Sequence, residues 1–203
     1  MVINVCVLRS GGDYGPEHVR WLAKQVPGLV CLSDVPVPGV ETVRMRYGFP
    51  SWWSKIELLS NAFDGDLMYY DLDTVVLAPL PKVDRTTVLR DFYYPETMGS
   101  GLMYIAQADK ARVFEDFMRS PGLHMRRHTV EGDQAFLQKH FGDCQKWQDV
   151  AKVVSFKAHC QSGVPSGTQV VCFHGVPRPW HVVADWIPRL EACGHDDGDG
   201  RGH

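Results

Sequence analysis

The order of apolar runs and turn residues predicts an α/β fold, with a mostly parallel central sheet flanked by helices. Three observations carry this expectation. The first part of the chain, up to Asp71, alternates as β-α-β-β-α-β, which lays strands side by side with helices over their faces. Several apolar runs end in charged side chains, namely Arg9, Asp34 and the pair Asp71 and Asp73. A parallel sheet gathers ligands at such carboxyl ends. The chain's 203 residues, 44% hydrophobic and 11% aromatic, suffice for one domain with a sizeable core.

Residues 2–8 read as a buried strand, followed by a turn at Ser10-Gly11-Gly12. Pro16 suits the first turn of a helix that runs to about Val26, and Gly28 stops it. Strands are expected over 29–33 and 40–45. Ile56, Leu59 and Phe63 share one stripe of a helix over 52–63; Gly65 punctuates it, and strand 67–70 delivers Asp71. Beyond Pro79 and Pro81 the reading is a strand over 87–94, a flexible turn at 98–101 and a strand over 102–106. A helix from Asp109 to Met118, a basic irregular loop over 119–130 and a helix over 132–141 follow. Short strands over 153–156 and 168–173 and a last helix over 181–192 complete the set. The end, GHDDGDGRGH, is low in complexity and reads as a flexible tail, so one domain over 1–190 and a tail over 191–203 are expected.

A net charge of −3 makes no global electrostatic case for nucleic acid or a membrane surface. The N-terminus lacks the basic region of a signal peptide, and no apolar segment approaches membrane-spanning length. The six cysteines form no C-x-x-C pair, and three of them, Cys6, Cys31 and Cys172, sit in apolar strand-like runs. Buried free thiols in a reducing cytoplasm are the expectation.

The most informative stretch is LMYYDLDTVV, residues 67–76. Side chains at i and i+2 of a strand share a face, so Asp71 and Asp73 point the same way and Leu72 points into the core. Carboxylates held that close repel each other unless a cation lies between them. Oxygen-rich sites of this kind suit Mg²⁺ or Mn²⁺ completed by substrate phosphates. A lone D-x-D is otherwise the solvated end of a strand. An EF-hand would need an oxygen ligand at Val75, Gly at Val76 and Glu at Lys82, and all three fail. The triplet also resembles the D-x-D-x-[TV] of haloacid-dehalogenase-type phosphatases, which would make Asp71 a nucleophile and Asp73 an acid/base. That motif closes the first strand of its fold, whereas this one comes late. Its later acidic pair would have to be Asp196-Asp197, in the Gly-rich tail.

A second constellation is Phe173-His174-Gly175-Val176-Pro177-Arg178-Pro179-Trp180. A neutral imidazole at His174 suits Mn²⁺, Gly175 allows close backbone approach, and Arg178 offers a fork to phosphate oxygens. Adjacent helical residues do not share a face, so at least one of Trp52 and Trp53 is expected to be a core residue. Arg119, His124, Arg126, Arg127 and His128 make a basic segment with no acid, either a solvated loop or a contact to a phosphate backbone.

Taken together, these motifs resemble a small GT-A (Rossmann-like) glycosyltransferase, similar to the retaining family 8 enzymes that include glycogenin. The D-x-D is Asp71-Leu72-Asp73, and the H-x-G-x-x-K-P-W element is matched by His174 to Trp180, one residue shorter and with Arg for Lys. A basic residue before D-x-D is matched by Lys55, and N-S-G-[VL]-M by Gly99-Ser100-Gly101-Leu102-Met103 with Gly for Asn. Asp133-Gln134 matches a D-Q pair that opens a helix. The resemblance implies transfer of a sugar from a nucleotide diphosphate sugar, in the first place a UDP-sugar, to a hydroxyl. It implies that Asp71, Asp73 and His174 hold Mn²⁺ or Mg²⁺, and that Arg178 and Gly175 contact the diphosphate. Lys55 would bridge phosphate and donor sugar, Asp133 and Gln134 would face the sugar's reactive side, and Ser100 and Gly101 would add hydrogen bonds. Arg9 and Asp34 are expected at the nucleobase and ribose by position. A glycan, a protein or a hydroxymethylated DNA base is left open as acceptor, as are a catalytically silent nucleotide-sugar binding protein and the oligomeric state.

Overall fold

The computed structural model describes residues 1–191, and the expected tail falls almost wholly on residues 192–203, outside them. Ten strands are described: β1 (Val2–Leu8), β2 (Val30–Ser33), β3 (Glu41–Arg44), β4 (Asp66–Tyr70), β5 (Thr74–Val76), β6 (Thr87–Arg90), β7 (Met98–Ile105), β8 (Gln145–Lys146), β9 (Val153–Ser155) and β10 (Val170–Cys172). The α-helices are α1 (Pro16–Ala23), α2 (Gln107–Met118), α3 (Pro121–Arg127), α4 (Asp133–Phe141) and α5 (Phe156–His159).

Seven strands form one sheet in the order β3-β2-β1-β4-β7-β6-β8, and β5-β10-β9 form a second. In the large sheet β1 pairs in parallel with both β2 and β4, and β2 with β3; only β7 runs antiparallel to its neighbours. Period-two alternation loads both faces. Met68 and Tyr70 of β4, with Leu102 and Tyr104 of β7, join one apolar cluster; Leu67, Tyr69, Met103 and Ile105 join the other. The fold is therefore α/β with a mostly parallel sheet covered on both sides, as predicted.

The order β3-β2-β1-β4 reverses direction between β1 and β4. That is a topological switch point, where the loops leaving adjacent strand ends part and open a crevice. Arg9 leaves β1 and Asp71 leaves β4 at this point. The chain then crosses from the large sheet to the small one within Asp71-Leu72-Asp73. Thr74 N donates to Asp71 O at 3.1 Å, so the triplet is a turn between sheets and not a continuing strand.

Several elements differ from expectation. Residues Ser51–Leu59 form a 3₁₀ helix in which Trp53 through Leu59 are all buried, so packing on every side replaces the expected amphipathic helix. Its Glu57, fully buried, accepts Arg46 N at 2.5 Å and Tyr47 N at 3.2 Å and pins the preceding loop. The expected flexible turn at 98–101 is the start of β7. Gly99 pairs with Leu89, and a Cβ there would lie 3.2 Å from Leu89 Cβ, so these glycines serve close strand approach. The expected strand over 87–94 ends at Arg90, because Asp91 Oδ1 accepts Tyr93 N at 2.8 Å and Tyr94 N at 2.9 Å and turns the chain. The basic loop contains helix α3, with Pro121 in its first turn. The expected helix over 181–192 is absent among the described residues; a 3₁₀ turn, Pro179–His181, precedes irregular chain. Pro188 breaks the pattern and gives its carbonyl to Trp21 Nε1 at 2.7 Å.

Candidate active site

One cleft of about 580 Å³ opens at the switch point, within the usual range of ligand pockets. Eleven sequence-predicted residues line it: Arg9, Lys55, Asp71, Asp73, Ser100, Gly101, Asp133, Gln134, His174, Gly175 and Arg178. Asp34 stands behind the wall. Its Oδ2 accepts Arg9 at 2.7 Å and Ser10 Oγ at 2.5 Å, and its Oδ1 accepts Ser10 N at 2.8 Å. Burial works against its charge, but the bonds from Ser10 and the charge of Arg9 win and hold the carboxyl below its usual range.

At the floor, Lys55 organises two carboxylates. Its Nζ lies 3.3 Å from Asp71 Oδ1 and 3.3 Å from Asp133 Oδ2. It also donates to Ser100 O at 3.2 Å and Ser100 Oγ at 3.1 Å. Burial opposes the ammonium, but Asp133 and Asp71 outweigh it and raise the Lys55 pKa, so the lysine is charged at neutral pH. Burial also raises the Asp133 pKa against the pull of Lys55. Asp133 Oδ2 has no hydrogen-bond partner despite the lysine's proximity, because the contact is an ion pair without hydrogen-bond alignment. Gly101 makes room for this arrangement: a Cβ there would sit 3.0 Å from Asp71 Oδ2, and its carbonyl accepts Asp71 N at 2.9 Å.

Leu72 packs in the core as expected, leaving Asp71 and Asp73 at the cleft. Burial and the charge of Asp71 push the Asp73 carboxyl up to about 7, against Arg178. Arg178 Nη1 donates to Asp73 Oδ2 at 2.5 Å, and its Nη2 lies 3.5 Å from Asp13. His174 lines the same cleft. Its Nε2 is 2.6 Å from Ser155 Oγ, and its ring stacks on Phe92 with centroids 5.7 Å apart. Burial and then the charge of Lys157 lower its pKa, so the imidazole is neutral. Among the described residues, no three His, Cys, Asp or Glu side chains are gathered to hold a metal ion. The metal-compatible feature is thus the Asp71–Asp73 pair, whose mutual repulsion a cation relieves; His174 lines the same cleft and is already bonded to Ser155.

Two residues escaped the sequence reading. Tyr14 donates to Asp73 Oδ2 at 3.1 Å and lies under the Arg178 guanidinium, 4.8 Å from ring centroid to Cζ. Tyr69 donates to Asp71 Oδ1, and Lys55 Nζ lies 5.0 Å from its ring centroid. Tyr69 is two positions before Asp71 on the same strand face, which is a readable signal. Tyr14 is placed by the loop after β1, and nothing local in the sequence marks it.

The fold is similar to that of solved glycosyltransferase structures. The glycosyltransferase GlyE of Streptococcus pneumoniae TIGR4 is similar over 90% of this chain and 56% of its own, at 12% identity and a TM-score of 0.58. Its apo form gives 0.55 at 13% identity, over 88% of this chain and 55% of that one. The bifunctional glycosyltransferase WbbM, in its apo form, gives 0.54 at 14% identity, over 88% of this chain and 46% of that one. The chain thus spans about half the length of the structures it resembles. No family model and no curated protein matches the sequence. Among the described residues no helix is long and apolar enough to cross a membrane.

Proposed function

We propose that this chain transfers a sugar from a nucleotide diphosphate sugar, in the first place a UDP-sugar, to an acceptor hydroxyl with the help of Mn²⁺ or Mg²⁺. The carrying observation is the pair Asp71 and Asp73 at the switch point, flanked by Lys55 and Arg178, in a fold shared with glycosyltransferases. The cleft wall holds six acids, Asp13, Asp71, Asp73, Asp91, Glu131 and Asp133, against four bases, Arg9, Lys55, Arg90 and Arg178. A divalent cation entering with the diphosphate offsets the repulsion between the diphosphate and the ionised acids of this wall.

Asp71 and Asp73 would hold the cation, with His174 as a third ligand once it exchanges Ser155. A bound divalent ion there supplies Lewis-acid stabilisation of the departing diphosphate. Arg178 would exchange Asp73 for phosphate oxygens, since a guanidinium fork fits both. Gly175, with φ +86°, bears no side chain to block that approach. In the transfer, the acceptor oxygen bonds to the anomeric carbon, the bond from that carbon to the diphosphate oxygen breaks, and the diphosphate keeps the electron pair. The hydroxyl proton is released. Lys55, buried beside Asp71 and Asp133, would compensate charge growing on the leaving oxygen. Asp133, ion-paired with Lys55, and Gln134 would receive donor-sugar hydroxyls, with Ser100 and Gly101 beside them. Arg9, held by Asp34, faces the outer cleft where the nucleoside would lie.

The test is a screen of UDP-, GDP- and other nucleotide sugars with Mn²⁺, reading free nucleoside diphosphate. Release from at least one donor is expected. Steady phosphate release from phosphomonoesters, lost in Asp71→Asn, would replace this reading with a phosphatase. Donor binding without release would leave a nucleotide-sugar binding protein.

A further inference from the structure

We infer that Trp52 is the platform of the acceptor site and that the acceptor is an uncharged carbohydrate; this rests on the transferase reading and adds to it the acceptor class. Of the adjacent tryptophans, Trp53 is 4% exposed and belongs to the core, whereas Trp52 is 47% exposed and lines the cleft. The indole is not a loose surface ring. It lies against Gly132, where a Cβ would be 2.2 Å from Trp52 Nε1 and 2.4 Å from Cδ1. Gly132 has φ +63°, so both the backbone there and the indole exclude a side chain. The ring is thereby backed by the residue that immediately precedes Asp133, whose carboxylate is at the floor beside Lys55. A ring stacked on Trp52 therefore sits one residue away from the groups proposed to face the donor sugar.

An exposed indole in a polar cleft has a negative ring face with one side left wet. The apolar C–H face of a sugar complements it, while the sugar's hydroxyls remain free to point toward Asp133. A flipped nucleobase would also stack, but charge decides against it. Glu131 is on the wall next to Gly132 and exposed, and Asp13 and Asp91 stand at the same cleft. The other arginines of the cleft are committed to carboxylates, Arg9 to Asp34 at 2.7 Å and Arg90 to Asp149 at 2.6 Å, and Arg178 is taken up by Asp73 or the donor diphosphate. A phosphate backbone crossing this mouth would be repelled. A neutral glycan would not.

The test is saturation-transfer NMR on the whole chain with UDP and Mn²⁺ present. The probes are methyl glycosides and disaccharides of gluco, galacto and manno configuration, set against duplex DNA carrying 5-hydroxymethylcytosine. At least one saccharide is expected to receive transfer, strongest at its ring C–H protons. Trp52→Ala should weaken that binding about tenfold, and Trp52→Phe should restore part of it. In turnover assays the same variants should raise acceptor KM more than they lower kcat. No saccharide signal, equal binding by wild type and Trp52→Ala, or binding of the DNA alone would overturn the inference. Saccharide binding without nucleoside diphosphate release from any donor would count against the transferase reading and in favour of the platform.

Discussion

At the residue scale the site is a set of charges that would be unstable apart. Asp73 is buried beside Asp71 and accepts from both Arg178 and Tyr14, so its oxygens are held in place before any ligand arrives. Asp73→Asn keeps the shape and removes the charge. We expect turnover to fall by roughly a hundred- to a thousand-fold, the scale for losing one electrostatic contact to the transition state. The far-UV circular dichroism should remain that of the wild type. Retention of more than half the activity would remove Asp73 from the mechanism. The sequence marked Asp73 through its spacing from Asp71. It did not mark Tyr14, because that contact spans 59 positions along the chain.

Helix and loop elements show where local pattern loses to packing. The segment over Ser51–Leu59 carries Trp52, Lys55 and Glu57 toward three different environments: the cleft, the floor of the site and the loop that follows β3. Glu57 is what ties the element down. Glu57→Ala leaves the backbone N–H groups of Arg46 and Tyr47 without their acceptor, so a loss of about 2 kcal/mol in urea unfolding is expected. A loss below roughly 0.5 kcal/mol would mean that water replaces the carboxylate there. Helix α3 was legible in part: Ser120-Pro121 is a start signal, but the run of cations that follows reads as solvated chain. Its His124 ring packs between Phe117 and Phe136, at 5.7 and 4.8 Å between centroids, and that tertiary contact holds the helix.

For the whole molecule, the strand order gathers at one cleft residues as distant as Arg9 and Arg178. The excess of acids over bases in that cleft has a direct consequence. Chelation with EDTA should bring nucleoside diphosphate release to background, and Mn²⁺ in excess should bring it back. The far-UV signal should not move, because the Asp71–Lys55–Asp133 group is already satisfied as an ion-pair network in the protein alone. Full turnover under EDTA would show that Lys55 and Arg178 suffice for the diphosphate.

The sequence by itself determined the α/β class, the strand carrying Asp71 and eleven of the residues that line the cleft. It did so because period-two burial and apolar-to-charged strand ends are local properties of the chain. Only the tertiary structure decided the partnerships. Whether Lys55 serves one carboxylate or two, whether Arg178 meets Asp73, and which of Trp52 and Trp53 faces the cleft depend on how the two sheets meet at Leu72. Those contacts join residues far apart in the chain, and a pattern of neighbours carries no information about them. The choice between a solvated strand end and a charged site was therefore made by long-range packing: burial raised the cost of unpaired charge, and the fold placed Lys55 beside Asp71 and Asp133 and Arg178 beside Asp73.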